Sequence, residues 1–100
     1  MLGSNMLGRH KNELARPPIA REAEAREVLR VWAEPNSPQQ LTLKTTWKDP
    51  GAWGLLLADV ARQAARAYAE EGVSEADALE RILALFRAEL ASPTDDPQQL

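Results

Sequence analysis

Residues 28–33, Val-Leu-Arg-Val-Trp-Ala, decide the fold, because their apolar side chains alternate with a period of two. One face of an extended chain would carry Leu29, Val31 and Ala33, and the other would carry Arg30 and Trp32. Such alternation, in a stretch rich in β-branched and aromatic residues, is typical of a half-buried strand. The stretch therefore predicts the first strand of a sheet.

A second strand is predicted after a turn. Residues 34–39, Glu-Pro-Asn-Ser-Pro-Gln, have the composition of a turn. Residues 40–46 then alternate again, with Leu41 and Leu43 inward and Thr42, Lys44 and Thr46 outward. The two strands form a predicted β-hairpin. Because a two-stranded ribbon is marginal in water, we expect its apolar face to rest on helices.

The first predicted helix spans about residues 50–71. Asp49 is an N-cap followed by proline at the first helical position, and Gly72 stands where a left-handed residue ends a helix. At about 100° per residue, one face collects Trp53, Leu56, Leu57, Val60, Ala64, Ala67 and Tyr68. A second face collects Ala58, Ala61, Ala65 and Ala69, whose small side chains allow the second helix or a partner's helix to approach closely.

The second predicted helix runs from a cap at Ser74 to about Ala91, and Pro93 ends it. Its core face is formed by Leu79, Ile82, Leu83, Phe86 and Leu90. We therefore predict one α+β domain over residues 12–91, with the order β-β-α-α and the hairpin packed on the two C-terminal helices.

The ends of the chain are predicted to contribute less. Pro17-Pro18 predicts an extended N-terminal arm over residues 12–19, and residues 21–27 are expected to form a short helical turn. Residues 1–11 are expected to be a disordered lead, and residues 92–100 a frayed tail.

Composition excludes several function classes. The net charge of −3 argues against a nucleic-acid-binding surface, and the absence of Cys excludes disulfides and thiolate metal sites. The longest apolar run, residues 52–58, is far shorter than the roughly 20 residues that span a bilayer, so we expect a cytoplasmic protein with no membrane partner.

The composition also predicts a thin hydrophobic core. Of the 100 residues 44% are apolar, but 17 residues are Ala, so few large side chains are left to build a core. A helix–hairpin unit of this size would be only marginally stable alone, so dimerisation is expected.

Several segments resemble a small proteobacterial family known as a domain of unknown function. They are Arg30-Val31-Trp32, Trp47-Lys48-Asp49-Pro50-Gly51-Ala52-Trp53-Gly54, Leu57-Ala58-Asp59-Val60-Ala61-Arg62 and Ala67-Tyr68. The most specific part is Trp-x-Asp-Pro-x-x-Trp-Gly running into Leu-x-Asp-x-x-Arg, and the resemblance spans about residues 12–90. It implies the same order of elements and a bacterial cytoplasmic origin, but no activity or cofactor. Members of the family often carry His where this chain has Leu41 and Gln63.

The residue types present leave few catalytic options. His10 is the single His, so a Ser-His-Asp triad is not expected, and neither a metal site nor a cofactor is predicted. The strongest ligand-binding candidates are Asp59, Arg62, Gln63 and Arg66 on one helical face, where Arg62 and Arg66 could grip one anion. Trp32 joins this candidate set, because an exposed indole needs a cover from the arm, a second subunit or a ligand.

Interface candidates are Trp32, Thr42 and Lys44 on the outward side of the hairpin and Leu55 on the polar side of the first helix. The sequence favours a non-catalytic cytoplasmic binding or assembly module that self-associates as a homodimer, with another cytoplasmic protein as a further partner. The alternative is a small anionic-ligand-binding protein or minor enzyme that uses Asp59, Arg62 and Arg66.

Overall fold

The computed structural model describes residues 10–94 and 98–99. Its order of elements is β1 (Leu29–Glu34), β2 (Ser37–Leu43), α1 (Gly51–Glu70), α2 (Glu75–Ala91) and a two-residue strand β3 (Gln98–Gln99). This order confirms the predicted α+β fold, an antiparallel hairpin followed by two helices. The predicted lead lies outside the described residues except for His10 and Lys11.

The hairpin is tighter than the sequence suggests. Its turn is the dipeptide Pro35–Asn36, so β2 begins at Ser37, three residues earlier than predicted, and ends at Leu43. The predicted turn over residues 34–39 was too long because proline is uncommon within a strand, and Pro38 was therefore assigned to the turn. Between the Trp32–Gln40 and Glu34–Ser37 pairs the register shifts, leaving two β2 residues opposite one β1 residue. At such a bulge the missing N–H of Pro38 costs no ladder hydrogen bond.

The strand register confirms the predicted faces. Leu29 lies opposite Leu43, and Val31 lies opposite Leu41, so these four side chains share one side of the ribbon. We call this set the hairpin apolar face. Arg30 and Thr42 form a pair on the other side. Within the predicted tail, Gln98–Gln99 pairs in parallel with Gln40 and Leu41 of β2.

The arm differs from its prediction in one respect. A 3₁₀ turn forms over Pro18–Arg21, inside and just after the stretch expected to be extended, and Glu22 that follows it is extended with a ψ of 139°. Of the helical turn predicted over residues 21–27, a single hydrogen-bonded turn forms, in which the Ala25 N–H donates to the Glu22 carbonyl at 3.1 Å. The physical reason is that proline is well suited to the first position of a helical turn, whereas two turns of charged residues alone are marginal.

The helix ends follow the predicted capping signals. The Asp49 carboxylate accepts a hydrogen bond from the Gly51 N–H at 2.8 Å, and Ser74 Oγ accepts one from the Asp77 N–H at 3.3 Å. Gly72 has a left-handed φ of 100°, and the Val73 N–H donates to the Tyr68 carbonyl beside it. The positive φ explains why the chain carries glycine at this position.

The two helices meet through small side chains. Among the described residues only Ala65 of α1 and Ala78 of α2 are fully buried, with exposures of 0% and 7%. Of the predicted alanine face of α1, Ala65 is buried and Ala61 is half-buried, whereas Ala58 and Ala69 are exposed. The helix that approaches α1 within the chain is α2. The larger residues of both predicted core faces are half-buried or exposed, so close approach is achieved with little apolar area removed from water.

The backbone of the hairpin lies apart from the backbone of the helices. In the described part of the chain, no Cα of β1 or β2 lies within 8 Å of a Cα of α1 or α2. The order of elements is therefore as predicted, without a close backbone approach between the hairpin and the helices.

The linker between the hairpin and α1 is well ordered by its own contacts. Trp53 Nε1 donates a hydrogen bond to the Thr45 carbonyl at 2.9 Å, and the ring of Trp47 packs edge-on against Trp53 at 6.0 Å. Thr46 has a φ of 63°, which is uncommon for a β-branched residue, and its Oγ1 donates to the Lys44 carbonyl at 3.0 Å. These contacts hold the linker against the first turn of α1.

We predict that Ala65→Leu destabilises the protein by about 1–3 kcal/mol, because a larger side chain would force the two helices apart. The free energy of unfolding in urea measures the effect. Ala69→Leu is the matched control, since Ala69 is exposed on the same helix and Leu has nearly the same helix propensity. Equal stability of the two variants would show that the buried alanine contact is unimportant.

Candidate functional site

A groove of about 750 Å³ separates the N-terminal arm from β1. The arm contributes residues 10 and 12–17, and the hairpin contributes most of β1 together with Ser37, Pro38 and Gln40. We call it the arm groove. Leu14, Arg30 and Trp32 are among its side chains.

Arg30 connects the arm to the hairpin. Its Nη2 donates to both carboxylate oxygens of Glu27 at 3.0 Å and lies 3.7 Å from the carboxylate of Glu13 in the arm. The hydrogen bond and the charge of Glu27 raise the pKa of Arg30, with a smaller contribution from Glu13. Arg30 is therefore charged throughout the physiological range, and two carboxylates already occupy its guanidinium group.

The N-terminal arm covers part of the Trp32 side chain. The rings of His10 and Trp32 meet edge-on at 5.3 Å, and the His10 ring is oriented by Nδ1, which accepts a hydrogen bond from the Asn12 N–H at 3.0 Å. Trp32 nevertheless remains 38% exposed. The sequence placed His10 in the lead and gave no role to Glu13, because an isolated residue in an irregular arm has no periodicity that reveals its partner.

The predicted anion-binding residues lie on an exposed face of α1. Asp59, Arg62, Gln63 and Arg66 are all exposed. Arg66 Nε lies 3.7 Å from a carboxylate oxygen of Glu75 at the start of α2. Arg66 is thus engaged by the second helix.

Trp32 lies on β1 and the helix residues lie on α1, and these two elements have no Cα pair within 8 Å in the described chain. The candidate ligand-binding set therefore stays a prediction.

The four interface candidates are all accessible. Thr42 lies beside Arg30 on the outward face of the hairpin, and Lys44 follows the end of β2 with its N–H donating to the Val28 carbonyl at 3.1 Å. Leu55 is 73% exposed on α1. Their role in an interface stays a prediction.

The apolar faces of the two helices form a further candidate surface. The sequence pattern showed these faces, but it was interpreted as predicting that they are buried in the core. Five large apolar residues from the predicted core faces of the two helices are 43% to 71% exposed: Leu57, Val60, Tyr68, Phe86 and Leu90. We call the face of α1 that carries Trp53, Leu56, Leu57, Val60, Ala64, Ala67 and Tyr68 the α1 stripe. It carries no charged side chain.

Comparison with known proteins identifies the family. The family described as Domain of unknown function (DUF5076) matches residues 13–94. The chain belongs to this family. The resemblance to a domain of unknown function seen in the sequence is thus confirmed. No match was found among curated proteins.

One similar solved structure is described as "Structure of a putative pyruvate dehydrogenase from the photosynthetic bacterium Rhodopseudomonas palustrus CGA009". It is 40% identical, with a TM-score of 0.71, and the match covers 90% of this chain and 93% of that chain. The two chains therefore share one DUF5076 architecture over nearly their whole length. No helix in the described part of the chain is long and apolar enough to span a membrane.

We predict that Glu13→Gln loosens the arm, because it removes the charge that Arg30 attracts across the arm groove. The rate of trypsin cleavage after Lys11 in the exposed arm measures this, and we expect an increase of up to about fivefold, which is the range of exposed ion pairs. Glu24→Gln is the matched control, since Glu24 is exposed and lies outside the groove. Identical cleavage of both variants would mean that this ion pair does not hold the arm.

Proposed function

We propose that this DUF5076 protein is a non-catalytic cytoplasmic assembly module that self-associates through the apolar faces of its helices. One observation carries the proposal: two alanines are the only fully buried side chains among the described residues, while five large apolar side chains of the helices stay 43% to 71% exposed. Exposed apolar patches larger than those of ordinary monomers mark protein–protein contact sites.

Physical magnitudes favour association. Burying a half-exposed side chain of this size contributes about 1 kcal/mol, so five of them per copy are a large fraction of the stability of a small domain. A second copy of the chain is the simplest partner, because closed twofold dimers are the commonest soluble assemblies. Another cytoplasmic protein that presents an apolar surface could occupy the same helices in a larger assembly.

We predict that Val60→Asp abolishes self-association, because it places a carboxylate in the middle of the α1 stripe. Association should weaken by at least about a hundredfold, since the charge would have to be desolvated. Light scattering after size exclusion gives the mass, which should change from twice 11.1 kDa to 11.1 kDa. Val60→Thr, nearly isosteric and milder, should weaken association while circular dichroism shows the fold to be intact.

Leu55→Asp is the matched control, on the opposite side of the same helix. It should leave the dimer unchanged. If Leu55→Asp dissociates the protein and both Val60 variants remain dimeric, the interface is the one predicted at Leu55 and the α1 stripe is not used. A wild-type protein of 11.1 kDa at all concentrations would reject self-association altogether.

A second candidate function is binding of a small carboxylate at Arg62 and Arg66. The observation that favours it is the description of the similar solved structure, which refers to pyruvate. Pyruvate at millimolar concentration should then raise the melting temperature, and Arg62→Ala should remove the shift. The assembly proposal predicts no shift in either protein, because the arginines are exposed and Arg66 is paired with Glu75.

A further inference from the structure

The chain carries two apolar faces that do not meet. The hairpin apolar face consists of Leu29, Val31, Leu41 and Leu43, none of which is fully buried, and Val31 is exposed. The α1 stripe likewise has no fully buried member. No Cα of β1 or β2 lies within 8 Å of a Cα of a helix in the described chain, so the two faces do not meet at close backbone distance and each could cover the other.

The two faces match in size and chemistry. Strands of six and seven residues extend for about 20 Å at 3.3 Å per residue. The α1 stripe, from Trp53 to Tyr68, extends for about 22 Å at 1.5 Å per residue. Neither face includes a charged residue. A ribbon face laid along such a helix is a common two-layer arrangement in α+β folds.

The linker opposes packing of the two faces within one chain. Only seven residues, 44–50, join β2 to α1. The indole of Trp53 holds the Thr45 carbonyl, and Trp47 packs on the same ring. These contacts and the left-handed φ of Thr46, 63°, fix the linker in the conformation that keeps the hairpin backbone apart from its own helices.

We propose that the hairpin apolar face of one copy packs on the α1 stripe of a second copy, and that the second copy returns the same contact. This inference rests on the self-association proposed above and names its geometry. In this dimer the hairpin of each copy packs on the α1 stripe of the other copy. Because a twofold axis relates the two copies, both apolar faces are covered and the assembly closes at two chains. The contact expected inside one chain is formed between chains.

Crosslinking between single-cysteine variants tests this geometry, because the native chain has no Cys. Val31→Cys, on the hairpin apolar face, and Val60→Cys, on the α1 stripe, are mixed by joint unfolding and refolding and treated with a short bis-maleimide. We expect a crosslinked dimer that mass spectrometry shows to contain one copy of each variant. The matched control replaces Val31→Cys by Thr42→Cys, on the outward face of the hairpin, and its yield with Val60→Cys should be at least about tenfold lower.

A chain that carries both Val31→Cys and Val60→Cys distinguishes packing of the two apolar faces between chains from packing within one chain. Under the inference, the crosslinker joins two chains, whereas a hairpin that folds back on its own helix gives an internally linked monomer. A monomeric product overturns the inference, and so does efficient crosslinking of Val60→Cys to itself, which indicates helices packed on helices.

Light scattering of each variant distinguishes the two proposals. A dimer that lacks the Val31–Val60 crosslink rejects the exchanged hairpin and leaves self-association standing. A protein that is monomeric before crosslinking rejects both.

Discussion

The close approach of α1 and α2 is the interaction on which the helix pair depends, and Ala65 of α1 and Ala78 of α2 are the only buried side chains among the described residues. Small side chains let two helices approach closely, and this brings backbone and neighbouring side chains into contact. They also remove little apolar area from water. The larger apolar residues on both helices are half-buried or exposed. A fold built in this way is completed by apolar surface from another element or another chain.

The linker determines where that surface can come from. Trp53 serves the helix and the linker at once, because its ring lies on the α1 stripe and its Nε1 holds the Thr45 carbonyl. Trp47 adds an aromatic contact to the same point. The hairpin is therefore held at the end of α1 rather than on its side. At the other end of the hairpin, Arg30 joins Glu27 and Glu13 and draws the arm over Trp32.

The sequence was sufficient to predict the faces of the hairpin and the ends of the helices. Alternation placed the four residues of the hairpin apolar face on one side, and Ser74 and Gly72 marked helix ends that the structure retains. The start of β2 was missed because Pro38 counts against a strand unless a bulge is known to accommodate it.

The candidate site was harder to predict. The contact between His10 and Trp32 joins residues 22 positions apart, one of them in an irregular arm, and no pattern marks such a pair. Periodicity also shows that a face is apolar without showing what covers it. For that reason the α1 stripe was assigned to a core within the chain, whereas the structure leaves it half-exposed.

The most direct test of the central claim, that this fold needs apolar cover from a second chain, is the melting temperature of the unmodified protein over a hundredfold range of concentration. When folding and association are coupled, the melting temperature rises with protein concentration by mass action. The account predicts a steady rise across the series. A melting temperature that is the same at every concentration, for a protein that remains folded at the lowest one, would contradict it.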